Sequence, residues 1–117
     1  MQFEKYQKEI DNKLSKIKLS NNPKELYDPV RYMLKMKSKR VRPILAILAY
    51  KLVHPNWKKV IQPCLCLELF HNFTLIHDDI MDKAPIRRGK KTIHEKWNKN
   101  IGILSGDLLM ILAYDMI

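Results

Sequence analysis

Residues 71–88, HNFTLIHDDIMDKAPIRR, gather the groups in this chain best suited to chemistry. An apolar run delivers three aspartates, Asp78, Asp79 and Asp82, and a short loop then ends in Arg87 and Arg88. On a helix turning ~100° per residue, Asp82 falls about 40° from Asp78, and His71 about 20° from it. Glu68 and Asp79 flank that sector at roughly 80–100°, while Leu69, Phe73, Ile76 and Ile80 gather opposite. The pattern predicts a strongly apolar helix bearing one narrow acidic stripe.

Carboxylates on adjacent turns repel, and a divalent cation removes the repulsion. Hard oxygen ligands suit magnesium, which holds one or two carboxylates, several waters and the oxygens of a substrate phosphate. Asp78 and Asp82 can therefore grip magnesium from one side and leave the remaining positions for a diphosphate. A solvated acidic helix end is the plainer alternative, and the spacing alone does not choose.

The flanking cations tilt the balance. Beyond Asp82 the segment KAPIRRGKK carries Pro85, Gly89 and five basic side chains. Arg87 and Arg88 follow the stripe closely enough to fold back over a metal-bound ligand, and arginine's planar fork suits phosphate oxygens. Upstream, MKSKRVRP concentrates Lys37, Lys39, Arg40 and Arg42 just before a helix whose first turn is marked by Pro43. Free backbone N–H groups beside basic side chains make an anion site; a solvated basic loop is the alternative.

Helices must position these groups. Phe3, Tyr6, Ile10, Leu14 and Ile17 predict an amphipathic helix over residues 3–17. A break at Ser20-Asn21-Asn22-Pro23 precedes a second helix over 23–35, where Pro29 predicts a kink or a start at Asp28. Residues 44–53, ILAILAYKLV, are apolar nearly all round and predict a buried helix. A long helix then runs through Asp82, with Asn56 as its cap and either a bend at Pro63 or a start near Gln62. Thr92-Ile93-His94-Glu95 reads as a capping box opening a short helix. The last helix holds Gly106-Asp107, inside it or at its start, and runs LLMILAYDMI to residue 117. That end is apolar and uncapped, with Asp115 where the helix dipole favours a cation, so the chain is expected to stop within a helix of something larger.

The totals bound the reading. In 117 residues there is room for one domain with one core, and 46% hydrophobic residues with three glycines predict a helix-rich globule. A net charge of +10 favours anionic partners: nucleic acid, an acidic membrane or phosphorylated small molecules. Cys64 and Cys66 are too few and too close for a disulfide framework or a zinc site, and read as reduced core thiols. No apolar run reaches the roughly 18–20 residues of a membrane span, and the N-terminus lacks a signal-peptide block, so the expected compartment is the cytoplasm.

Taken in order, Lys39-Arg40-Val41-Arg42-Pro43, Glu68-Leu69-Phe70-His71, LIHDDIMD, Arg87-Arg88-Gly89 and Gly106-Asp107-Leu108-Leu109 resemble the N-terminal part of a trans-polyprenyl diphosphate synthase. The resemblance covers the chain from about Val30 onward. It implies an all-α isoprenoid-synthase helical bundle, of which residues 1–117 are the N-terminal part of a single domain. It also implies a magnesium-dependent prenyltransferase that condenses an allylic diphosphate with isopentenyl diphosphate, as a homodimer in its full-length form. By position, Asp78 and Asp82 resemble the magnesium ligands, with Asp79 in support. Lys39, Arg42, His71 and Arg88 resemble the residues holding isopentenyl diphosphate, and Arg87 the one contacting the allylic diphosphate. Ser38 departs from the family's usual glycine before the Lys-Arg pair, at some cost in loop freedom. Phe73 resembles an aromatic floor that limits product length, although ordinary core packing explains it as well. With no extra residues inside DDIMD, a geranylgeranyl (C20) product is expected ahead of farnesyl (C15). The family's second aspartate-rich motif is missing from these residues, so this chain alone is expected to be a fragment with little or no activity.

Two rivals remain at this level. His77-Asp78 suggests a metal phosphohydrolase of the HD type, but His77 lies about 100° from Asp78 on the wheel, away from Asp82. The charge suggests a non-catalytic basic helical module binding nucleic acid, but the cations surround an acidic stripe in place of forming a clean basic face. A regulatory subunit fragment is a further alternative.

Overall fold

The computed structural model describes residues 2–117, with side chains from residue 3 onward. Six helices follow one another: α1 (Gln2–Ser15), α2 (Lys24–Lys35), α3 (Val41–Lys51), α4 (Ile61–Met81), the one-turn α5 (Ile93–Lys96) and α6 (Lys99–Asp115). A 3-10 turn, Trp57–Val60, leads into α4, and a small hairpin of β1 (Ile86–Arg87) and β2 (Lys90–Lys91) separates α4 from α5. Apart from that hairpin the described residues are all-α, as the family resemblance implies.

Helix α4 is the centre. At 1.5 Å per residue its 21 residues span about 31 Å, and it packs most extensively on α6, then on α3 and α1. Ile61, Leu65, Leu69 and Ile76 recur on its buried side. They meet Ile10 of α1, Val30 and Met33 of α2, Ile47 of α3 and Leu109 of α6 in one core. Each fully buried apolar side chain there contributes roughly 1.5–3 kcal/mol. Cys64 and Cys66 are buried free thiols, Cys64 within this core. Burial pushes the Cys64 thiol up to about 11, which leaves it unreactive at neutral pH.

Several local expectations are corrected. Helix α3 is not buried all round: Pro43, Ile44 and Ile47 face inward, while Leu45 and Val41 are more than half exposed. Helix α2 starts at Lys24, not at Asp28, and keeps Pro29 inside it, buried beside Val30, Met33 and Leu34. Asn56 does not cap α4, since the 3-10 turn intervenes and α4 starts at Ile61 with Pro63 in its first turn. The capping box at Thr92 does not form: its hydroxyl donates to the Ala84 carbonyl at 2.8 Å and closes the hairpin segment. The cap appears one helix later, where Asn98 Oδ1 accepts from the Ile101 amide at 2.8 Å. Among the described residues no helix is long and apolar enough to cross a membrane.

Candidate active site

The acidic stripe is divided by the fold. Asp78 and Asp82 are exposed, one turn apart at the end of α4, with the Asp82 amide donating to the Asp78 carbonyl at 2.8 Å. Glu68 and Asp79 turn inward instead, on the same buried side as Leu65, Asn72 and Ile76. The physical reason is partner supply: each buried acid meets an arginine, and neither exposed carboxylate has an ion-pair partner among the described residues.

Asp79 receives Arg87 through both oxygens, Nε donating to Oδ2 at 2.7 Å and Nη2 to Oδ1 at 2.8 Å. That hydrogen bond, with the nearby Asp79 and Asp78 charges, raises the Arg87 pKa. Two of the three Arg87 nitrogens are thereby committed, and Asp79 is a clamp for the hairpin with its carboxylate already engaged. The hairpin is tied down further by the Tyr32 hydroxyl, which donates to the Lys91 carbonyl at 2.8 Å. Its two-residue turn, Arg88-Gly89, has φ of 53° and 76°. Positive φ at both central residues is what a type I′ hairpin turn requires.

Arg88 accepts this left-handed backbone and turns a half-buried guanidinium inward, and its Nη1 has no hydrogen-bond partner among the described residues. Burial first, then repulsion from Arg40 and Arg87, lowers its pKa against the pull of Glu68 and Asp79. A buried unpaired cation is costly unless an anion joins it. Close by, Arg42 in the first turn of α3 donates Nη1 to His71 Nε2 at 3.1 Å. Burial, then Arg42, with Arg88 and Arg87 acting the same way, depresses the His71 pKa. The imidazole is therefore neutral near pH 7, with Nε2 as acceptor and the proton on Nδ1. Arg42, Arg87 and Arg88 thus all act electrostatically on His71, and Arg87 is held by the acidic end of α4. Lys39 sits apart from this set of contacts, exposed on a groove shared with Phe3, Val41 and Leu45.

The exposed pair has the right chemistry for a hard cation. Two negative side chains stand at a helix C-terminus, the end where the macrodipole is already negative. Among the described residues no group of three or more His, Cys, Asp or Glu gathers into a metal cage. Two carboxylates without a third protein ligand suit magnesium, which keeps waters and takes phosphate oxygens.

His77 points elsewhere. Its Nε2 lies 3.0 Å from the Ile103 carbonyl and 3.5 Å from Asp107 Oδ1, both on α6. A Cβ at Gly106 would stand 2.5 Å from the His77 ring, so the glycine is what lets α6 close on α4. The histidine is thereby removed from any metal on Asp78, against the phosphohydrolase reading. Phe73 stacks edge-on against His77 and Phe70 at 4.9 and 5.2 Å, and Phe70 meets Tyr114 at 6.3 Å. This aromatic row leads from the acidic end toward an apolar cavity of about 530 Å³ lined by Cys66, Leu67, Phe70 and Tyr114.

Reading the sequence missed Arg40 as a structural group. The run Lys39-Arg40-Val41-Arg42 presents three equivalent cations, and only the left-handed φ of 52° at Arg40 and its 3% exposure single it out. Its partner Glu68 gave a weak signal, as a charge at the edge of an otherwise apolar face.

The sequence pattern described as Polyprenyl synthetase matches residues 23–117. The chain is 41% identical over 108 residues to the geranylgeranyl diphosphate synthase of Methanosarcina mazei, a match covering 92% of this chain and 33% of that one. It superposes on the geranylgeranyl pyrophosphate synthetase of Pyrococcus horikoshii with a TM-score of 0.91 at 36% identity, covering 98% of this chain and 35% of that one. It also superposes on the heptaprenyl diphosphate synthase of Staphylococcus aureus with a TM-score of 0.87 at 33% identity, covering 97% and 36% respectively. The chain spans about a third of the length of the curated relatives it matches.

Proposed function

The chain belongs to the polyprenyl synthetase family, and from that premise we propose that it carries one part of a prenyltransferase active site. The reaction joins an allylic diphosphate to isopentenyl diphosphate: the allylic C–O bond breaks, diphosphate leaves, a C–C bond forms and a proton is lost. The observation that carries this reading is the half-buried, unpaired Arg88 guanidinium beside the Arg42–His71 pair. It is a cluster of cations in which Arg88 has no hydrogen-bond or ion-pair partner among the described residues, with Glu68 and Asp79 offsetting only part of the charge.

In this assignment Asp78 and Asp82 would hold magnesium, which would supply charge neutralisation for a departing diphosphate. Asp79 acts through Arg87, whose remaining Nη1 is left for the allylic diphosphate. Arg42, His71 and Arg88 hold the diphosphate of isopentenyl diphosphate and so fix its double bond, and Lys39, which sits apart from them, would have to swing its exposed side chain across from the loop to join them. The row Phe73, Phe70 and Tyr114 forms an apolar wall that excludes water from the reactive carbons. A C20 product fits the relatives named geranylgeranyl diphosphate synthase, and Phe73 is the residue proposed to set that length.

Residues 1–117 are proposed to be part of a larger single domain. Support comes from the apolar side of α6, where Leu104, Ile111 and Tyr114 are more than half exposed, a surface that soluble monomers rarely leave open. The remainder of such a domain, or a second copy, would cover it. Accordingly the chain by itself binds and does not turn over substrate.

Titration with inorganic pyrophosphate, with and without magnesium, tests the reading. Saturable binding is expected, stronger with the metal and weakened roughly tenfold or more by Arg88→Ala, the loss of a charge-assisted contact. No binding, or binding indifferent to Arg88→Ala, would overturn it.

A further inference from the structure

Of the three cations between Lys39 and Arg42, Arg40 is the one that no ligand can reach. Its side chain is 2% exposed, and every nitrogen is committed. Nε donates to Asp11 Oδ1 at 2.7 Å on α1. Nη1 donates to Glu68 Oε1 at 3.1 Å on α4, and Nη2 to the Leu34 and Met36 carbonyls at 3.3 and 3.2 Å. One guanidinium therefore closes the C-terminal end of α2, sets the left-handed residue before α3, and ties both to α1 and α4.

Glu68 is the other half of this device. It is 1% exposed, three residues before His71 on the same helix. Its Oε1 also receives Asn72 Nδ2 at 3.2 Å, and Oε2 has no partner among the described residues. Its charge acts on Arg88 and on His71, so it opposes the mutual repulsion of the cations gathered there. At 1% exposure it lies out of reach of a substrate atom.

We infer that Glu68 and Arg40, with Asp11 behind them, are positioning residues that fix the corner between α2 and α3 and so hold Arg42 in register with His71. This rests on the diphosphate reading above and adds to it the groups that set the geometry. The sign of the effect separates it from simple electrostatics. Removing a negative charge near a cationic site should tighten anion binding if charge alone matters. If Glu68 and Asp11 act by holding Arg40, their loss lets the corner relax and binding weakens.

Pyrophosphate titration of the full chain without magnesium, under conditions where circular dichroism shows it folded, decides this. Glu68→Gln is expected to weaken binding roughly tenfold, equivalent to about 1.4 kcal/mol. Glu68→Asp keeps the charge and shortens the reach, and is expected to weaken it as well. Asp11→Asn covers the case in which either Glu68 variant fails to fold. Asp11 is 47% exposed on α1, away from the cations, and acts on them only through Arg40. Its substitution is expected to weaken binding roughly threefold, a fraction of one charge-assisted hydrogen bond. Equal or tighter binding by Asp11→Asn would overturn the inference while leaving the diphosphate reading intact. An unsubstituted chain that does not bind pyrophosphate would overturn both.

Discussion

Asp78→Asn should make the chain more stable and at the same time abolish its response to magnesium. Asp78 lies in the last turn of α4, four residues before Asp82, and both are exposed without an ion-pair partner among the described residues. Two unfavourable effects disappear on substitution. Like charges four apart on a helix cost a few tenths of a kcal/mol, and an acid at a helix C-terminus costs about 0.3–1 kcal/mol. Against this, Asp78 attracts Arg87, a contact already dominated by the bidentate Asp79 and screened by solvent. The net gain is about 0.5–1 kcal/mol, which for a domain of this size moves the melting temperature by roughly 2–5 °C. Urea unfolding, monitored by circular dichroism at low salt, reads this directly. Repeating it in about 0.5 M salt should shrink the gain, because exposed charges are screened within a few ångströms there. With magnesium and pyrophosphate present the order should invert: the unsubstituted chain gains stability by mass action, and Asp78→Asn gains little. A variant no more stable than its parent without metal, or one protected equally with it, would refute the claim that these carboxylates are held apart for a cation.

Arg40→Ala should cost about 3–5 kcal/mol, because it strands a buried carboxylate; combining Arg40→Met with Glu68→Leu should recover most of that, and a double variant as unstable as the single would show the pair is not the cause. Gly106→Ala drives a methyl into the His77 ring and should cost roughly 1–3 kcal/mol in overpacking, less about 1 kcal/mol from alanine's helix preference. His77→Ala in the same chain should restore the melting temperature, and a double variant still destabilised would place the clash elsewhere. His71 is depressed in the folded chain below its ordinary value of 6.5, so the unfolded chain binds more protons there. Stability is then fully present above that value and declines as pH falls through 6.5 and on through the folded pKa, a trend that His71→Asn should flatten in urea melts at stepped pH. Pyrophosphate affinity should run the other way over the same interval, since an anion favours the protonated ring; affinity flat with pH would remove His71 from the site.

Much of this protein is determined by local rules that read directly from its residues. The 3.6-residue spacing of Tyr6, Ile10 and Leu14, or of Ile61, Leu65, Leu69 and Ile76, commits those segments to helices with one buried side. Asp78 and Asp82 stand on adjacent turns wherever that helix packs, and Arg87 and Arg88, five and six residues beyond Asp82, must lie near its end, because so short a connection cannot carry them away. Tertiary structure decided how these groups are used. Asp79 and Glu68 became clamps, while their neighbours Asp78 and Asp82 stayed free, because Arg87 and Arg40 arrive from other segments to meet only the inward pair. Thr92 abandoned its capping role for a carbonyl across the hairpin, and α3 kept an apolar face exposed because too few helices surround it to cover both sides. Identity and spacing specify what a side chain can do along its own helix. Which partner takes it depends on contacts between residues far apart in the chain, and those exist only once the helices have packed.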